Sequence, residues 1–571
     1  MRRNLSILLL AVVTCVTVRA QVQSSSAKTA EETGTISGQV VSDSGQPVAG
    51  ASLFIRATNS FNTARGTTSD SEGNFHINNL EAGLYVITAS APTYATDSLP
   101  TPVYYRLGES VRLEMVRGGV ITGAVTNNSG DPIVGVRVRA VRVRDAKGTI
   151  KSPSFIFQER TTDDRGIYRM YGLLPGTYLI SAGGSGGSSG FTSVFNPYEN
   201  DVPTYSPSAT RDNAAEISVR SGEETTADIR YRGERGYTIS GAVKLTNPNG
   251  ASVTLRAVGN SEPLAGAFQM SGSRGFAFHG LPDGEYTLRA QEIVSTQSTP
   301  TPQLATSATK RITIKGASVT GIELVTTPMS SISGRVVLEP LKIPECQGKR
   351  APSFAETLVQ LQRPEKDGED ADGIFVGLIG GSASPDANGV LTWRNVMPGR
   401  YRFEPRFYAR YWYLKSITTK TSGAKPQTID VAGNWTIAKS GDQLTGLTIT
   451  LAEGAASIRG RLALAEGAVV QPATMVYLVP AETDKATDVL RFFATDVASD
   501  GTFAFSNLPP GKYLALTQTN VDGQIASQGK LREPETEAAA ARVKLHRAAE
   551  AKKTEIELKP CQNFADYQLK Q

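Results

Sequence analysis

The residues best suited to ligand recognition lie in one aromatic stretch that begins at Tyr401. Tyr408, Tyr411, Trp412 and Tyr413 stand there among arginines and a glutamate. Flat rings beside charged side chains are typical of carbohydrate sites, because sugar C–H faces stack on the rings and polar neighbours bind hydroxyls. In a strand Trp412 and its tyrosine neighbours point to opposite faces, so at least one aromatic face is expected to be exposed or on a loop. The favoured alternative is that these rings fill a core or a joint between domains.

The three histidines of the chain do not support a hydrolytic site. None of His76, His279 and His546 begins a His-x-x-Glu pair, which a zinc peptidase of the usual kind requires. Strand alternation predicts that all three point away from the core, so a serine or cysteine triad has no suitable base. We therefore predict no catalytic residue, no metal site and no cofactor.

A basic run offers a second candidate surface. Arg137, Arg139, Arg142 and Arg144 lie in one predicted strand. In a regular strand the first two would point to one face and the last two to the opposite face. A bulge near Ala140 is therefore required if all four face solvent. Such a stripe could bind an acidic polysaccharide, but the favoured interpretation is that these arginines lie on the solvent-exposed face of a half-buried sheet.

Acidic residues recur at one position, which raises the question of calcium. Asp70, Asp163 and Asp386 each stand three residues before a glycine. An aspartate there can accept hydrogen bonds from the backbone that follows it, as in an Asx-turn. Calcium would need five or more further oxygen ligands, and nothing nearby supplies them. The turn interpretation is therefore favoured.

The elements that position all these residues follow from a repeat that occurs five times. Each copy has an Ile-x-Gly step, a later glycine and a hydrophobic-x-x-Gly-x-Tyr turn, separated by short segments of period-two hydrophobicity. This pattern is typical of a β-sandwich. The turn glycine is expected to take a positive φ, and the tyrosine hydroxyl to reach a backbone group. A feature that every copy shares serves the fold and is poor evidence for a catalytic centre. The turns lie at 80–85, 173–178, 281–286, 396–401 and 508–513.

The repeat resembles the carboxypeptidase regulatory-like domain, a transthyretin-like, seven-stranded β-sandwich of secreted bacterial proteins. The residues that carry the resemblance lie at 36–38, 45–50, 70–75 and 80–85, with matching stretches at 130–135 and 173–178. The last three copies lack the clean Gly-x-Pro-Val-x-Gly step. In the family this domain often accompanies a zinc peptidase, whose ligands are missing here, so the resemblance implies a fold and no activity.

We predict an all-β fold, a tandem array of about five transthyretin/immunoglobulin-like β-sandwich modules. Module 2 contains a Gly/Ser stretch and an aromatic loop, and module 5 a short helix at 534–541 before a last strand that buries Ile556 and Leu558. The predicted division is a signal peptide at 1–20, a linker at 21–33, modules 1 to 5 at 34–116, 117–235, 236–327, 328–452 and 453–560, and a tail at 561–571.

The first twenty residues predict export by a cleaved signal peptide. They combine a basic start, a short apolar core and a small-residue end at Ala20. Lipidation at Cys15 and twin-arginine export from Arg2 and Arg3 are disfavoured, because the flanking residues fit poorly. Cleavage removes three of the 59 basic residues and none of the 54 acidic ones, so the mature chain is nearly neutral. That balance predicts no nucleic-acid partner, and no transmembrane segment is expected after cleavage.

Two cysteines remain after cleavage, Cys346 and Cys561. In an oxidising compartment they could pair across the last two modules, while two isolated thiols on loops are equally consistent with no bond. Both alternatives remain open.

The leading functional interpretation is a non-enzymatic protein, secreted or located in the periplasm or at the cell surface, that acts as a structural spacer or an adhesion protein with envelope proteins as partners. The alternative is a carbohydrate-binding protein that uses Tyr408, Tyr411, Trp412 and Tyr413 to bind a polysaccharide. A hydrolase is the weakest reading, because no nucleophile and base stand at an interpretable spacing.

Overall fold

The computed structural model describes residues 33–570, with gaps at 59–63, 97–101, 150–157, 185–196, 246–249, 259–262, 271, 273–274, 295–302, 365–381, 421–426, 464–468 and 520–527. The predicted signal peptide at 1–20, almost all of the linker at 21–33, and most of the Gly/Ser stretch and aromatic loop of module 2 lie outside the described residues.

The described residues form an all-β molecule with five large hydrophobic cores, as the sequence predicts. Each core draws on one predicted module, with two exceptions: Val489 and Leu490 of module 5 join the core of module 4, and Leu569 of the predicted tail joins the core of module 5. Short 3₁₀ turns occur at Arg211–Asn213, Pro344–Cys346, Phe354–Glu356, Thr483–Lys485 and Val489–Arg491.

Module 1 has seven strands in two sheets that enclose one core. The strands are β1 (Gly34–Ser42), β2 (Ser52–Ala57), β3 (Ala64–Thr68), β4 (Asn74–Leu80), β5 (Tyr85–Ser90), β6 (Tyr94–Ala95) and β7 (Ser110–Arg117). The sheet orders are β4-β1-β7-β6 and β3-β2-β5. Leu53 and Ile55 of β2 point inward with period two and pack in one cluster with Phe75 and Ile77 of β4.

Module 2 repeats this plan with an irregular second half. Its strands are β8 (Gly119–Thr126), β9 (Arg137–Asp145), β10 (Gln158–Thr161), β11 (Ile167–Leu173), β12 (Gly176–Ala182), β13 (Thr204–Tyr205), β14 (Ile217–Val219), β15 (Glu224–Thr226) and β16 (Ile229–Arg230). One sheet runs β10-β9-β12-β13 with β14 on β12, and the other runs β11-β8-β15 with β16 on β8. The bulge predicted near Ala140 lies at Val143 instead, because Arg142 and Arg144 pair with consecutive residues of β12.

Module 3 differs in that its strands form one continuous sheet. They are β17 (Tyr237–Lys244), β18 (Ala251–Ala257), β19 (Pro263–Gln269), β20 (Phe276–Leu281), β21 (Gly284–Val294), β22 (Gln303–Ser307), β23 (Lys310–Ile314) and β24 (Val319–Pro328). The order is β19-β18-β21-β22-β24-β17-β20, with β23 on β21. The strand β22 pairs with both β21 and β24 and so connects the two layers.

Module 4 returns to two sheets. Its strands are β25 (Ser330–Glu339), β26 (Leu358–Gln362), β27 (Ser382–Ala383), β28 (Val390–Val396), β29 (Gly399–Arg406), β30 (Trp412–Lys420), β31 (Thr428–Asp430), β32 (Thr436–Ala438) and β33 (Gln443–Glu453). The sheet orders are β28-β25-β33-β30-β31 and β27-β26-β29-β32.

Module 5 adds two helices to the sandwich. Its elements are β34 (Ala456–Ala463), β35 (Thr474–Pro480), β36 (Phe493–Asp496), β37 (Thr502–Leu508), β38 (Gly511–Thr519), α1 (Gln528–Leu531), α2 (Thr536–Lys552), β39 (Glu555–Leu558) and β40 (Asn563–Lys570). The sheets run β37-β34-β40 and β36-β35-β38-β39. Helix α2 packs Leu545 and Ala549 against the outer side of β35 at Met475 and Tyr477.

Two expectations for module 5 require correction. The helix predicted at 534–541 extends to Lys552, since the sequence after the alanines still lacks a glycine or proline. The residues 561–571 are not a tail, because Asn563–Lys570 is the strand β40, which pairs in parallel with β34. The burial of Ile556 and Leu558 is confirmed.

The Ile-x-Gly step marks the place where the first strand of each module meets its last strand in parallel. A Cβ atom on Gly38 would lie 2.0 Å from the Val111 carbonyl oxygen, and one on Gly241 would lie 2.0 Å from that of Ile322. Only glycine permits this approach, so the glycine serves the parallel closure of each module.

The prediction for the turn tyrosine is confirmed in every copy. Each hydroxyl donates a hydrogen bond to the carbonyl oxygen four residues earlier, which closes the turn onto the core. The bonds are Tyr85 to Glu81 (2.6 Å), Tyr178 to Leu174 (2.8 Å), Tyr286 to Pro282 (2.7 Å), Tyr401 to Met397 (2.7 Å) and Tyr513 to Pro509 (2.9 Å).

The prediction of a positive φ for the turn glycine is wrong for Gly83. In module 5 a second reason for glycine is visible, because a Cβ atom on Gly511 would lie 2.4 Å from Nη2 of Arg491. This arginine lies 4.6 Å from the ring centroid of Tyr513 and donates a hydrogen bond to the Pro510 carbonyl oxygen. Glycine therefore leaves room for an arginine that covers the turn.

Candidate functional site at the joints between modules

The predicted aromatic residues lie in the core of module 4 and near its contacts with modules 1 and 5. Trp412 is only 3% exposed and belongs to the core of module 4. Tyr408, Tyr411 and Tyr413 are half-buried. Tyr408 and Tyr411 lie on the loop between β29 and β30, which agrees with the expectation of an aromatic face that is exposed or on a loop, although neighbouring segments of the chain partly cover these rings.

Charged side chains of this protein already cover the rings of two of these tyrosines. The guanidinium of Arg106 in module 1 lies 4.4 Å from the ring centroid of Tyr408, and Nζ of Lys349 lies 4.7 Å from that of Tyr411. Such cation–π contacts occupy the face that a sugar would need. Burial raises the pKa of Tyr408 and of Tyr413, which agrees with their place in a joint.

Module 5 holds the start of β30 through one side chain. Nδ2 of Asn507 donates hydrogen bonds of 2.7 Å to the carbonyl oxygens of Ala409 and Trp412. Both acceptors belong to module 4, at the aromatic stretch. Asn507 has a φ of 58°, which lies in the left-handed region that asparagine tolerates better than most residues.

The same position of the repeat meets the preceding module in modules 3 and 4 as well. Oδ1 of Asn395 accepts a hydrogen bond of 2.7 Å from the backbone N–H of Leu304 in module 3. A Cβ atom on Gly280 would lie 2.4 Å from the carbonyl oxygen of Asp201 in module 2. The residue before the hydrophobic start of each turn has a positive φ in all five copies: Asn79, Gly172, Gly280, Asn395 and Asn507. The sequence contains this Asn/Gly signal, although its role at the joints was not predicted.

Arginines with little exposure stabilise the joint between modules 4 and 5. Nη1 of Arg402 donates a hydrogen bond of 2.9 Å to the carbonyl oxygen of Gly529. Arg532 lies 5.3 Å from the ring centroid of Phe493, and burial lowers its pKa to about 10 although Glu404 opposes the shift. Arg400 and Glu535 form a more exposed ion pair of 3.5 Å at the same boundary.

A disulfide also crosses this joint. Cys346 and Cys561 are bonded, with Cα atoms 5.5 Å apart and a sequence separation of 215. Cys346 ends a 3₁₀ turn of module 4, and Cys561 lies just before β40. Both side chains are buried. The bond therefore connects module 4 to the closing strand of module 5.

Module 1 contacts module 4, although modules 2 and 3 separate them in sequence. Nε2 of Gln360 donates a hydrogen bond of 3.3 Å to the Tyr104 hydroxyl, and the hydroxyls of Thr58 and Ser384 are 3.0 Å apart. Arg106 adds a 3.8 Å contact to Glu356. The chain therefore folds back on itself, which its repeat pattern does not predict.

The four arginines of module 2 have partners within the protein and form no open stripe. Arg137 and Arg139 both contact Glu159, at 3.8 and 2.8 Å. Arg142 donates a hydrogen bond to the carbonyl oxygen of Pro175, and Arg144 lies 3.8 Å from Glu216.

The histidines show no catalytic arrangement. His76 is exposed, and His279 lies 3.1 Å from the Thr238 hydroxyl. His546 lies on helix α2 and contacts the Pro480 carbonyl oxygen at 3.0 Å, so the prediction from strand alternation does not apply to it.

The aspartates of the repeat form the predicted turns. Oδ1 of Asp70 accepts hydrogen bonds from the backbone N–H groups of Glu72 and Asn74, at 3.0 and 2.7 Å. Asp163 and Asp386 make the same pair of bonds. Within the part of the chain that the structure describes, no group of three or more His, Cys, Asp or Glu residues is placed to hold a metal ion. The same part contains no helix long and apolar enough to cross a membrane.

Residues 35–116 match the family model of the carboxypeptidase regulatory-like domain, a range that covers β1 to β7. Module 1 is a carboxypeptidase regulatory-like domain. The resemblance seen in the sequence is confirmed for this module. No curated protein matches the chain.

Several solved structures are similar at low identity. The TIE protein of Bacillus anthracis is 13% identical over 52% of this chain and only half (50%) of that chain, with a TM-score of 0.14. The shaft pilin SpaA from Lactobacillus rhamnosus GG is 12% identical over 35% of this chain and 98% of that chain, with a TM-score of 0.17. The minor pilin GBS52 of Streptococcus agalactiae is 12% identical over 35% and 94%, with a TM-score of 0.19. At these scores the similarities carry no argument about function.

Proposed function

We propose that this protein is a non-enzymatic, secreted or cell-envelope scaffold whose five sandwiches hold one fixed relative arrangement. Its work is to present surfaces at set positions, as a structural spacer or adhesion protein does. The signal peptide predicted at 1–20 supports the location. The carboxypeptidase regulatory-like domain at 35–116 supports the class of protein.

One observation carries the proposal: the aromatic stretch of module 4 is held by contacts from modules 1 and 5. Arg106 and Tyr408 connect modules 1 and 4, while Asn507 and Trp412 connect modules 4 and 5. Interfaces between domains that are small and polar usually permit relative motion. Here the disulfide and the return contact of module 1 restrict such motion, which favours a rigid scaffold over a flexible string.

Small-angle X-ray scattering of the mature chain tests this proposal. The expected curve fits one compact arrangement with module 1 against module 4. The matched variant Arg106→Ala removes the contacts to Tyr408 and Glu356, and we expect it to increase the radius of gyration without unfolding any module. A native curve that only a broad ensemble of extended shapes can fit would contradict a fixed scaffold.

A further inference from the structure

An open groove of about 710 Å³ lies on module 5, on the outer face of the sheet β37-β34-β40. Its volume is within the range that ligand sites usually have. Along β34 the buried Ile458 and Leu462 face the core, whereas Arg459 and Arg461 are exposed toward the groove. The polar residues that line it are Arg459, Arg461, Asp496, Thr502, Asp566 and Gln568.

The polar side chains of this groove are largely unpaired. Arg459, Asp566 and Gln568 make no side-chain hydrogen bond or ion pair with any residue that the structure describes. Arg461 has only a long contact of 3.9 Å, to Asp500. Single exposed arginines without a close acceptor also occur on other strands, as Arg112 and Arg335 do among the described residues, so what distinguishes this place is that several such side chains lie together. Several unused hydrogen-bonding groups therefore line one concave place.

Comparison of the modules shows that the fold does not need this arginine pair. Arg459 and Arg461 stand on either side of Gly460, the glycine of the Ile-x-Gly step, whose own role is the approach of β40. The other modules build the same parallel closure with different neighbours of that glycine: Ser37 and Gln39, Thr122 and Ala124, Ser240 and Ala242, Ser333 and Arg335. Because four modules close without the pair, its presence in module 5 requires another explanation.

The composition of the lining indicates the chemistry of the ligand. The guanidinium groups of Arg459 and Arg461 suit carboxylates, which a guanidinium binds through two parallel hydrogen bonds. Asp496 and Asp566 add acceptors and Gln568 adds an amide, and all three suit hydroxyl groups. The two carboxylates would repel a uniformly anionic chain such as a nucleic acid. Phe503 lines the groove but is 6% exposed, so the groove lacks the aromatic anchor that protein partners commonly use.

We propose that this groove binds an acidic polysaccharide in which carboxylate-bearing sugars alternate with neutral ones, with Arg459 and Arg461 as the carboxylate-binding residues. Adjacent same-face residues of a strand are about 7 Å apart, so the two guanidinium groups can contact carboxylates on one extended chain. This binding site goes beyond the scaffold role and does not depend on it.

Isothermal titration calorimetry of the mature protein with sodium hyaluronate, a polymer of alternating uronate and neutral amino sugar, tests the proposal. We expect binding at low ionic strength that weakens as salt is added, because the contacts are charged. Arg459→Gln and Arg461→Gln should each weaken binding about tenfold, the loss of one charge-assisted contact. Arg335→Gln is the matched control, since Arg335 holds the position of Arg461 in module 4 without the rest of the groove, and it should leave binding unchanged.

Three results would overturn the assignment. Hyaluronate could fail to bind, or binding could persist unchanged in the Arg459→Gln/Arg461→Gln double variant. Poly-L-glutamate could also bind as tightly as hyaluronate with the same dependence on both arginines, which would assign the groove to an acidic protein segment. Dextran, a neutral polymer, should not bind in any variant. Circular dichroism of each variant confirms that module 5 is folded, because both arginines are exposed and their replacement leaves the core intact.

Discussion

The side chain of Asn507 in module 5 donates a 2.7 Å hydrogen bond to the carbonyl oxygen of Trp412 in module 4. One asparagine thus has two roles. Its backbone has the left-handed conformation at the irregular pairing of β34 with β37, and its amide determines where the preceding module lies. The repeat therefore encodes contacts between modules as well as the fold of each module.

Comparison of alanine variants at Asn507 and Asn79 separates the two roles of Asn507. Asn507→Ala loses two hydrogen bonds and places alanine at a positive φ, so we expect a loss of about 2–4 kcal/mol in the stability of module 5. Asn79→Ala is the matched control, because Asn79 has the same φ of 58° in module 1 and no side-chain bond among the described residues. It should cost about 1 kcal/mol. Differential scanning calorimetry checks both, and equal losses would show that the hydrogen bonds to module 4 contribute nothing.

Reduction of the disulfide should affect the C-terminal half of the chain selectively. The bond between Cys346 and Cys561 closes a long loop, so its loss should cost about 3–5 kcal/mol. We expect dithiothreitol to lower the melting temperature of modules 4 and 5 and to leave modules 1 to 3 unchanged. A Cys346→Ser/Cys561→Ser variant should melt as the reduced protein does, with or without reductant. A uniform effect on all transitions would contradict a local role.

The glycine of the Ile-x-Gly step should tolerate no side chain. Gly38→Ala would place Cβ 2.0 Å from the Val111 carbonyl oxygen, so we expect a loss of more than about 4 kcal/mol, enough to unfold module 1. Gly66→Ala is the control within the same module, because its Cβ would meet no atom closer than 3.6 Å. Urea unfolding followed by circular dichroism distinguishes the two variants. A folded module 1 in Gly38→Ala would disprove this reason for the glycine.

Buried tyrosines should make the protein sensitive to alkali. Burial raises the pKa of Tyr168, Tyr231, Tyr286 and Tyr513 above the ordinary value near 10. A raised pKa in the folded state contributes stability that is complete below pH 10 and is lost as the pH rises toward the folded values, because the unfolded chain ionises first. We expect the melting temperature to fall above about pH 10. The Tyr513→Phe variant should show a weaker fall for module 5, and an unchanged slope would contradict this account.

The return of module 1 to module 4 can be captured chemically. The hydroxyl oxygens of Thr58 and Ser384 are 3.0 Å apart, so a Thr58→Cys/Ser384→Cys variant should form a second disulfide under mild oxidation. The new bond would appear as a faster band on a non-reducing gel. A Ser71→Cys/Ser384→Cys control should not form it, since Ser71 is on an exposed turn of module 1. Equal yields in the two variants would indicate that the modules are mobile.

Much of each sandwich could be read from the sequence, because its causes are local or repeat in every copy. Period-two burial in β2, the Asx-turn at Asp70 and the bond from the Tyr513 hydroxyl each depend on residues a few positions apart. The end of module 5 was misjudged for the opposite reason. The strand β40 pairs with β34, about a hundred residues earlier, and no local sequence pattern predicts this pairing.

The sequence by itself determined an all-β array and its turns, since steric limits on glycine and the alternation of strands act over short distances. The tertiary structure decided which surfaces remain available. It placed Tyr408 under Arg106 of a distant module, bonded Cys346 to Cys561 and left Arg459 without a partner among the described residues. Those outcomes depend on how separate modules pack, and packing between distant segments leaves no periodic signal in the chain.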